Sequence, residues 1–131
     1  MNQSFYDKLT SVIAKERVYV DEPMSRHTTF RVGGPADFFV TPKAKEEVRD
    51  VIRICKEAGM PYYIIGNGSN LLVSDAGYRG VIVQIYKEMN EVKVEGDLVK
   101  AQAGALLSGI AAKALGAELS GFEFASGIPG T

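Results

Sequence analysis

The stretch Tyr62-Tyr63-Ile64-Ile65-Gly66-Asn67-Gly68-Ser69-Asn70-Leu71-Leu72 decides how the rest of the chain is read. An apolar run stops in Gly-Asn-Gly-Ser-Asn and then resumes, the pattern of a short strand delivering a tight turn. Gly66 and Gly68 have no side chain, so another molecule can approach the backbone there. Successive N–H groups in such a turn can converge into a concave anion-binding nest. Ser69 and Asn70 add short polar side chains beside it. One reading is a phosphate cradle at the carboxyl end of a strand, where ligands of α/β sheets sit. The other is an ordinary connection, because Gly, Asn and Ser dominate turns for purely local reasons. The stretch alone leaves both open.

Upstream, Ser4 is the expected N-cap of a first helix, with Phe5, Leu9, Val12 and Ile13 as its apolar stripe. Residues 18–30 read as irregular and contain Pro23 and the only histidine, His27. With no Cys or carboxylate constellation around it in sequence, His27 is expected to be structural or exposed rather than a metal ligand. Thr28–Val32 and Ala36–Val40 read as two strands about a Gly33-Gly34-Pro35 turn, with Arg31 either a solvated strand residue or, given a partner that the sequence does not show, a functional one. Thr41-Pro42 predicts a helix start with Thr41 as N-cap. Glu46 and Glu47 fall in its early turns, where the helix dipole favours acids. Val48, Val51, Ile52, Cys55 and Ala58 make its stripe, and Gly59 its stop. On that stripe Cys55 is expected to be a small buried hydrophobe. Strand, helix and the strand 62–65 then form a βαβ unit.

Downstream, Leu71–Val73 reads as a short strand, residues 74–80 as a surface loop, and Val81–Ile85 as a buried strand. Alternation in Glu91–Glu95 and Leu98–Ala103 about Gly96-Asp97 predicts a hairpin, with Val92, Val94, Val99, Ala101 and Ala103 on one face. The sheet is therefore expected to turn antiparallel after the glycine turn. Leu106, Leu107, Ile110, Ala111, Ala114 and Leu115 give a third helix, rich in small residues.

Composition narrows the classes. At 131 residues, 46% apolar and 24% charged, the chain has the make-up of a globular domain. A net charge of −1 without a dense Lys/Arg cluster argues against nucleic acid as partner. No apolar run approaches the roughly 20 residues of a membrane span. The N-terminus lacks the basic start and apolar middle of a secretory signal, and a single cysteine fits a reducing compartment.

Three stretches occur in series: Thr28-Thr29-Phe30-Arg31-Val32-Gly33-Gly34-Pro35-Ala36-Asp37, Gly66-Asn67-Gly68-Ser69-Asn70-Leu71-Leu72, and Gly121-Phe122-Glu123-Phe124-Ala125-Ser126-Gly127-Ile128-Pro129-Gly130-Thr131. That series resembles the UDP-N-acetylenolpyruvoylglucosamine reductases, the MurB flavoenzymes of bacterial cell-wall synthesis. The likeness is greatest to the branch without the extra Tyr-containing loop, and it covers the chain from Thr28 onward. It implies an α+β fold of the PCMH or vanillyl-alcohol-oxidase type. Residues 1–66 would be an N-terminal helix and a small α/β flavin-binding lobe. Residues 67–131 would begin a second, truncated and mainly antiparallel lobe with a packed helix, and the substrate domain would be absent. The resemblance also implies non-covalent FAD, with Gly66, Asn67, Gly68, Ser69 and Asn70 around its pyrophosphate and Leu71 packed nearby. Ala125, Ser126, Gly127, Ile128, Pro129, Gly130 and Thr131 would form the opposite wall.

By the same resemblance, NADPH reduces the flavin, hydride passes to the enolpyruvyl double bond of a nucleotide sugar, and a serine supplies the proton. That serine and its partner glutamate and arginine have no matching position in this sequence. The chain is thus expected to carry cofactor-binding but no catalytic residues, to be inactive alone, to self-associate through an uncovered edge, and to act in the bacterial cytoplasm. Two other readings remain: a different flavin oxidoreductase of the same fold, or a non-catalytic module holding a phosphate compound.

Overall fold

The computed structural model describes residues 2–68, 71–85 and 91–117, except for the side chains of Val99 and Leu107. Helix α1 spans Gln3–Thr10, strand β1 Val18–Pro23, β2 Pro35–Val40, helix α2 Lys45–Ala58, β3 Tyr62–Ile65, β4 Tyr78–Gln84, β5 Val92–Glu95, β6 Leu98–Ala101, and helix α3 Leu107–Gly116. Four strands form one sheet in the order β1-β2-β4-β3, and β5 and β6 form a separate hairpin.

The inner strands β2 and β4 are parallel, as are β3 and β4, while β1 runs antiparallel to β2 at one edge. The unit β2–α2–β3 forms as expected, but β4 is inserted between its two strands. β4 lies after the glycine turn and is parallel to its neighbours, so the expected change to antiparallel pairing begins only with the β5–β6 hairpin. A line drawn between residues 66 and 67 therefore passes through the first sheet. The hairpin turns at Gly96-Asp97 with Val92 opposite Ala101 and Val94 opposite Val99, as the alternation predicts. Ala101 and Ala103 are exposed, however, and α3 packs on the hairpin through Ala111 and Ala114, which are buried.

Alternation along the inner strands, interrupted by an irregularity in β2 between Ala36 and Phe38, sorts side chains to the two faces of the sheet. On one face Phe38, Val40, Val81 and Val83 meet Phe5, Leu9 and Ile13 of the N-terminal segment and Val51, Ile54 and Cys55 of α2. On the other, Ala36, Phe39, Ile65 and Ile82 meet Met24, with Leu71, Val73 and Tyr78 at the margin. Phe38 and Phe39 are adjacent in sequence and serve opposite cores. Burial pushes the Cys55 thiol up to about 11, so it is a packing residue. In the native protein Cys55 is expected to resist an aromatic disulfide reagent and to react only at the rate of unfolding. Fast labelling without denaturant would show that the seam between α2 and the sheet opens.

Five sequence expectations are corrected. Helix α1 is capped by Asn2, whose side chain accepts the Phe5 N–H at 3.0 Å, rather than by Ser4. Residues 18–23 are strand β1, because they pair along β2; Val18 and Val20 carried a signal that Pro23 obscured. Thr28–Val32 is not a strand but a closed turn. The Thr28 hydroxyl donates to the Val32 carbonyl (3.0 Å) and accepts from its N–H (3.3 Å), while the Arg31 N–H reaches the Thr28 carbonyl (3.1 Å). The side chain thereby takes the backbone groups a ladder would need. Helix α2 begins at Lys45, with extended Ala44 before it. Thr41 is drawn into the core by its N–H bond to the Arg17 carbonyl, and Glu47 reaches back to cap the Lys43 N–H at 2.8 Å. Gly59 does end α2, in a left-handed conformation. Leu71–Val73 forms no strand, and Leu72 is exposed.

Candidate functional site

The carboxyl ends of the parallel strands point to one side of the sheet, and the glycine turn opens there. Ile65 pairs with Gln84 at the last rung between β3 and β4. Beyond it the Gln84 Nε2 donates to the Gly66 carbonyl at 3.3 Å, and the Ile85 N–H to the Ile65 carbonyl at 3.1 Å. These bonds fix the start of the turn.

Its far side is fixed by a segment distant in sequence. The Thr29 N–H donates to the Gly68 carbonyl at 3.2 Å, and the Leu71 N–H to the same oxygen at 3.4 Å. Gly68 adopts φ +80°, and a Cβ there would collide with the His27 carbonyl oxygen. Glycine is thus required twice, by conformation and by space. His27 itself is held by its ring, stacked on Phe39 at 4.0 Å, and by its Nε2, 3.1 Å from Glu22 Oε1. The structural role expected for His27 is therefore specific: it seats the backbone against which Gly68 closes.

Beside the turn lies an open cavity of about 510 Å³ lined by Ser25, Arg26, Thr28, Thr29, Arg31 and Asn67. Two arginines, three hydroxyl side chains and an amide line it, and none of the lining residues is acidic. Arg31 is exposed, as expected of a solvated residue, but it sits in a turn at the cavity rather than in a strand. This is the contribution that sequence reading missed. The Thr28-Thr29-Phe30-Arg31 motif was visible, but its contact with residues 66–68 is made across a gap of almost forty positions.

Gly66, Asn67, Gly68 and Leu71 are placed by the structure. The first three form the turn, and Leu71 packs on the second core. Ser69, Asn70 and the segment Ala125–Thr131 lie outside the described residues. One buried polar atom bears on a cofactor. Gln84 is 3% exposed, and its Oε1 has no hydrogen-bond partner among the described residues. An acceptor left in this way at the mouth of the turn, beside a glycine backbone and a basic cavity, fits a polar anionic ligand with an N–H to donate.

A small mixed sheet with a glycine turn at its parallel carboxyl ends, followed by an antiparallel hairpin and a packed helix, defines an α+β domain of the PCMH type. p-Cresol methylhydroxylase shares this fold at TM-score 0.69 over 89% of the chain and 25% of that structure, with 19% identity. Residues 36–131 match the FAD binding domain family, and the chain belongs to that family. It is similar to UDP-N-acetylenolpyruvoylglucosamine reductases from Clostridioides difficile, 48% identical over 99% of this chain, and from Clostridium botulinum, 50% identical over 100%. The chain spans 43% of the length of each of these relatives. The crystal structure of the Thermus caldophilus UDP-N-acetylenolpyruvylglucosamine reductase superposes at TM-score 0.65, with 33% identity over 86% of this chain and 38% of that one. Among the described residues, no helix is long and apolar enough to cross a membrane.

Proposed function

We propose that this chain binds FAD non-covalently. In this reading Gly66, Asn67, Gly68, Ser69 and Asn70 lie against the pyrophosphate, Leu71 packs beside them, and Ala125, Ser126, Gly127, Ile128, Pro129, Gly130 and Thr131 form the facing wall. The observation that carries the proposal is the turn at residues 66–68, clamped open at the carboxyl end of β3 by Gln84 on one side and by His27 and Thr29 on the other. Several backbone N–H groups in one fixed turn suit a diphosphate, which needs several donors at once.

The protein to which these residues contribute is, in this reading, a UDP-N-acetylmuramate dehydrogenase acting in the bacterial cytoplasm. It would use NADPH to reduce UDP-GlcNAc-enolpyruvate. FAD supplies the hydride chemistry when bound. The part played by this chain is binding and orientation. The Gly66–Gly68 backbone holds the anionic end, and the Gln84 amide positions the turn. No proton-transfer residue is assigned among residues 1–131, so turnover by this chain alone is not expected. In this reading residues 1–66 begin the small lobe, and the place of β4 in the same sheet supports extending that lobe through β4.

Titration of FAD into the protein, followed by quenching of flavin fluorescence, tests the proposal. Saturable binding with one equivalent supports it, and absence of binding would remove it. Gln84→Met sharpens the test. It removes both the orphaned oxygen and the bond to Gly66, so stability should change by no more than about 1 kcal/mol. FAD affinity should fall roughly tenfold if that amide serves the cofactor. A variant that binds FAD as wild type does would exclude Gln84 from the site.

A further inference from the structure

The cavity beside the glycine turn has a charge arrangement that the turn alone does not explain. Of its two arginines, Arg26 lies 3.7 Å from Glu22, a carboxylate it shares with His27. Arg31 makes no ion pair among the described residues, and none of the lining residues is acidic. Arg31 is also one of only two non-glycine residues described with positive φ, at +54°. Arginine rarely takes that conformation, and here it lies within a turn closed by two hydrogen bonds between Thr28 and Val32. The same loop hydrogen-bonds to the glycine turn through Thr29 and Gly68. The fold therefore holds a cation with no carboxylate partner among the described residues in an unusual backbone state, at a cavity that it shares with Asn67.

We propose that Arg31 is a phosphate-binding residue, completing the turn at residues 66–68 into a diphosphate site whose charge is supplied from the 28–32 loop. Backbone N–H groups give direction but no net charge. A diphosphate carries at least two negative charges, and a guanidinium offers paired donors in fixed geometry. Arg26 and the hydroxyls of Ser25 and Thr29 stand at the same cavity. The proposal rests on the flavin reading for the identity of the dinucleotide but not for the anion chemistry.

Arg31→Asn is the informative variant, because Asn tolerates positive φ and carries no charge. Inorganic pyrophosphate, ADP, FAD and riboflavin are titrated into wild type and variant by calorimetry at low and at physiological ionic strength, beside a thermal melt of each. Arg31→Asn should melt at or above the wild-type temperature and lose about 10- to 100-fold in affinity for pyrophosphate, ADP and FAD, as loss of a charge-assisted contact implies. It should leave riboflavin, which has no phosphate, unchanged. Arg31→Lys should recover part of the loss. Equal affinities of wild type and Arg31→Asn for pyrophosphate and ADP would overturn the proposal, as would an equal loss for riboflavin, which would mark a merely structural role. Binding of pyrophosphate without FAD would leave the anion site standing and remove the flavin reading. Binding of neither by wild type would remove both.

Discussion

Gly68→Ala is expected to lower the unfolding free energy by about 3 kcal/mol or more and to abolish tight FAD binding. Two costs add. A left-handed backbone costs an L residue about 1–2 kcal/mol, and the residue sits at φ +80°. The new methyl must also displace the His27 carbonyl, a backbone group that cannot swing aside. Forced overpacking of this kind costs about 1–3 kcal/mol. Gly59→Ala isolates the first cost: Gly59 has φ +66°, but a Cβ there meets no atom within 4 Å. Its expected penalty is about 1 kcal/mol. Urea unfolding of both variants measures the difference. Equal midpoints would show that residues 27–29 do not seat on the turn in solution. Because Thr29 hydrogen-bonds to Gly68, the collision also pushes the 28–32 loop off the cavity, so binding should fall more than stability alone predicts.

The second large effect is expected at Glu47. Its two oxygens take both Arg17 nitrogens, at 2.8 and 3.1 Å, and Oε1 also accepts the Lys43 N–H. Arg17 in turn donates to the Thr41 carbonyl at 3.2 Å, tying β1, the end of β2 and the start of α2 together. Glu47→Ala leaves a guanidinium that is only 17% exposed without its carboxylate, and uncaps the helix. The expected loss is about 2 kcal/mol, between surface and fully buried pairs. For a domain of this size that is about 8 °C in Tm. The hydrogen bond from Arg17 is the chief cause holding the Glu47 carboxyl below its ordinary value, with burial acting the other way. A carboxyl lower in the folded than in the unfolded state contributes stability above the ordinary carboxylate range and loses it as pH falls through the folded value. The gap in stability between wild type and Glu47→Gln should therefore close on acidification. A gap independent of pH would show that the pair is not formed.

Helix α2 with its Gly59 stop, strands β2 and β3, the β5–β6 hairpin and the glycine turn were all legible, because local periodicity and turn residues write them directly into the chain. So was the family likeness, which lay in the order and spacing of three motifs. Thr41 misled because a distant partner, the Arg17 carbonyl, draws it into the core. Ser4 and Thr28–Val32 misled for local reasons: Asn2 takes the cap of α1, and the Thr28 hydroxyl closes on Val32.

By itself, then, the sequence determined where the backbone is bare of side chains and which faces of its helices and strands are apolar. Only the tertiary structure decided that β4 enters between β2 and β3, that His27 holds the turn open, and that Arg31 stands at the same cavity as Asn67. Strand order and cavity composition depend on contacts between residues far apart in the chain, and no local pattern of charge or hydropathy encodes such contacts.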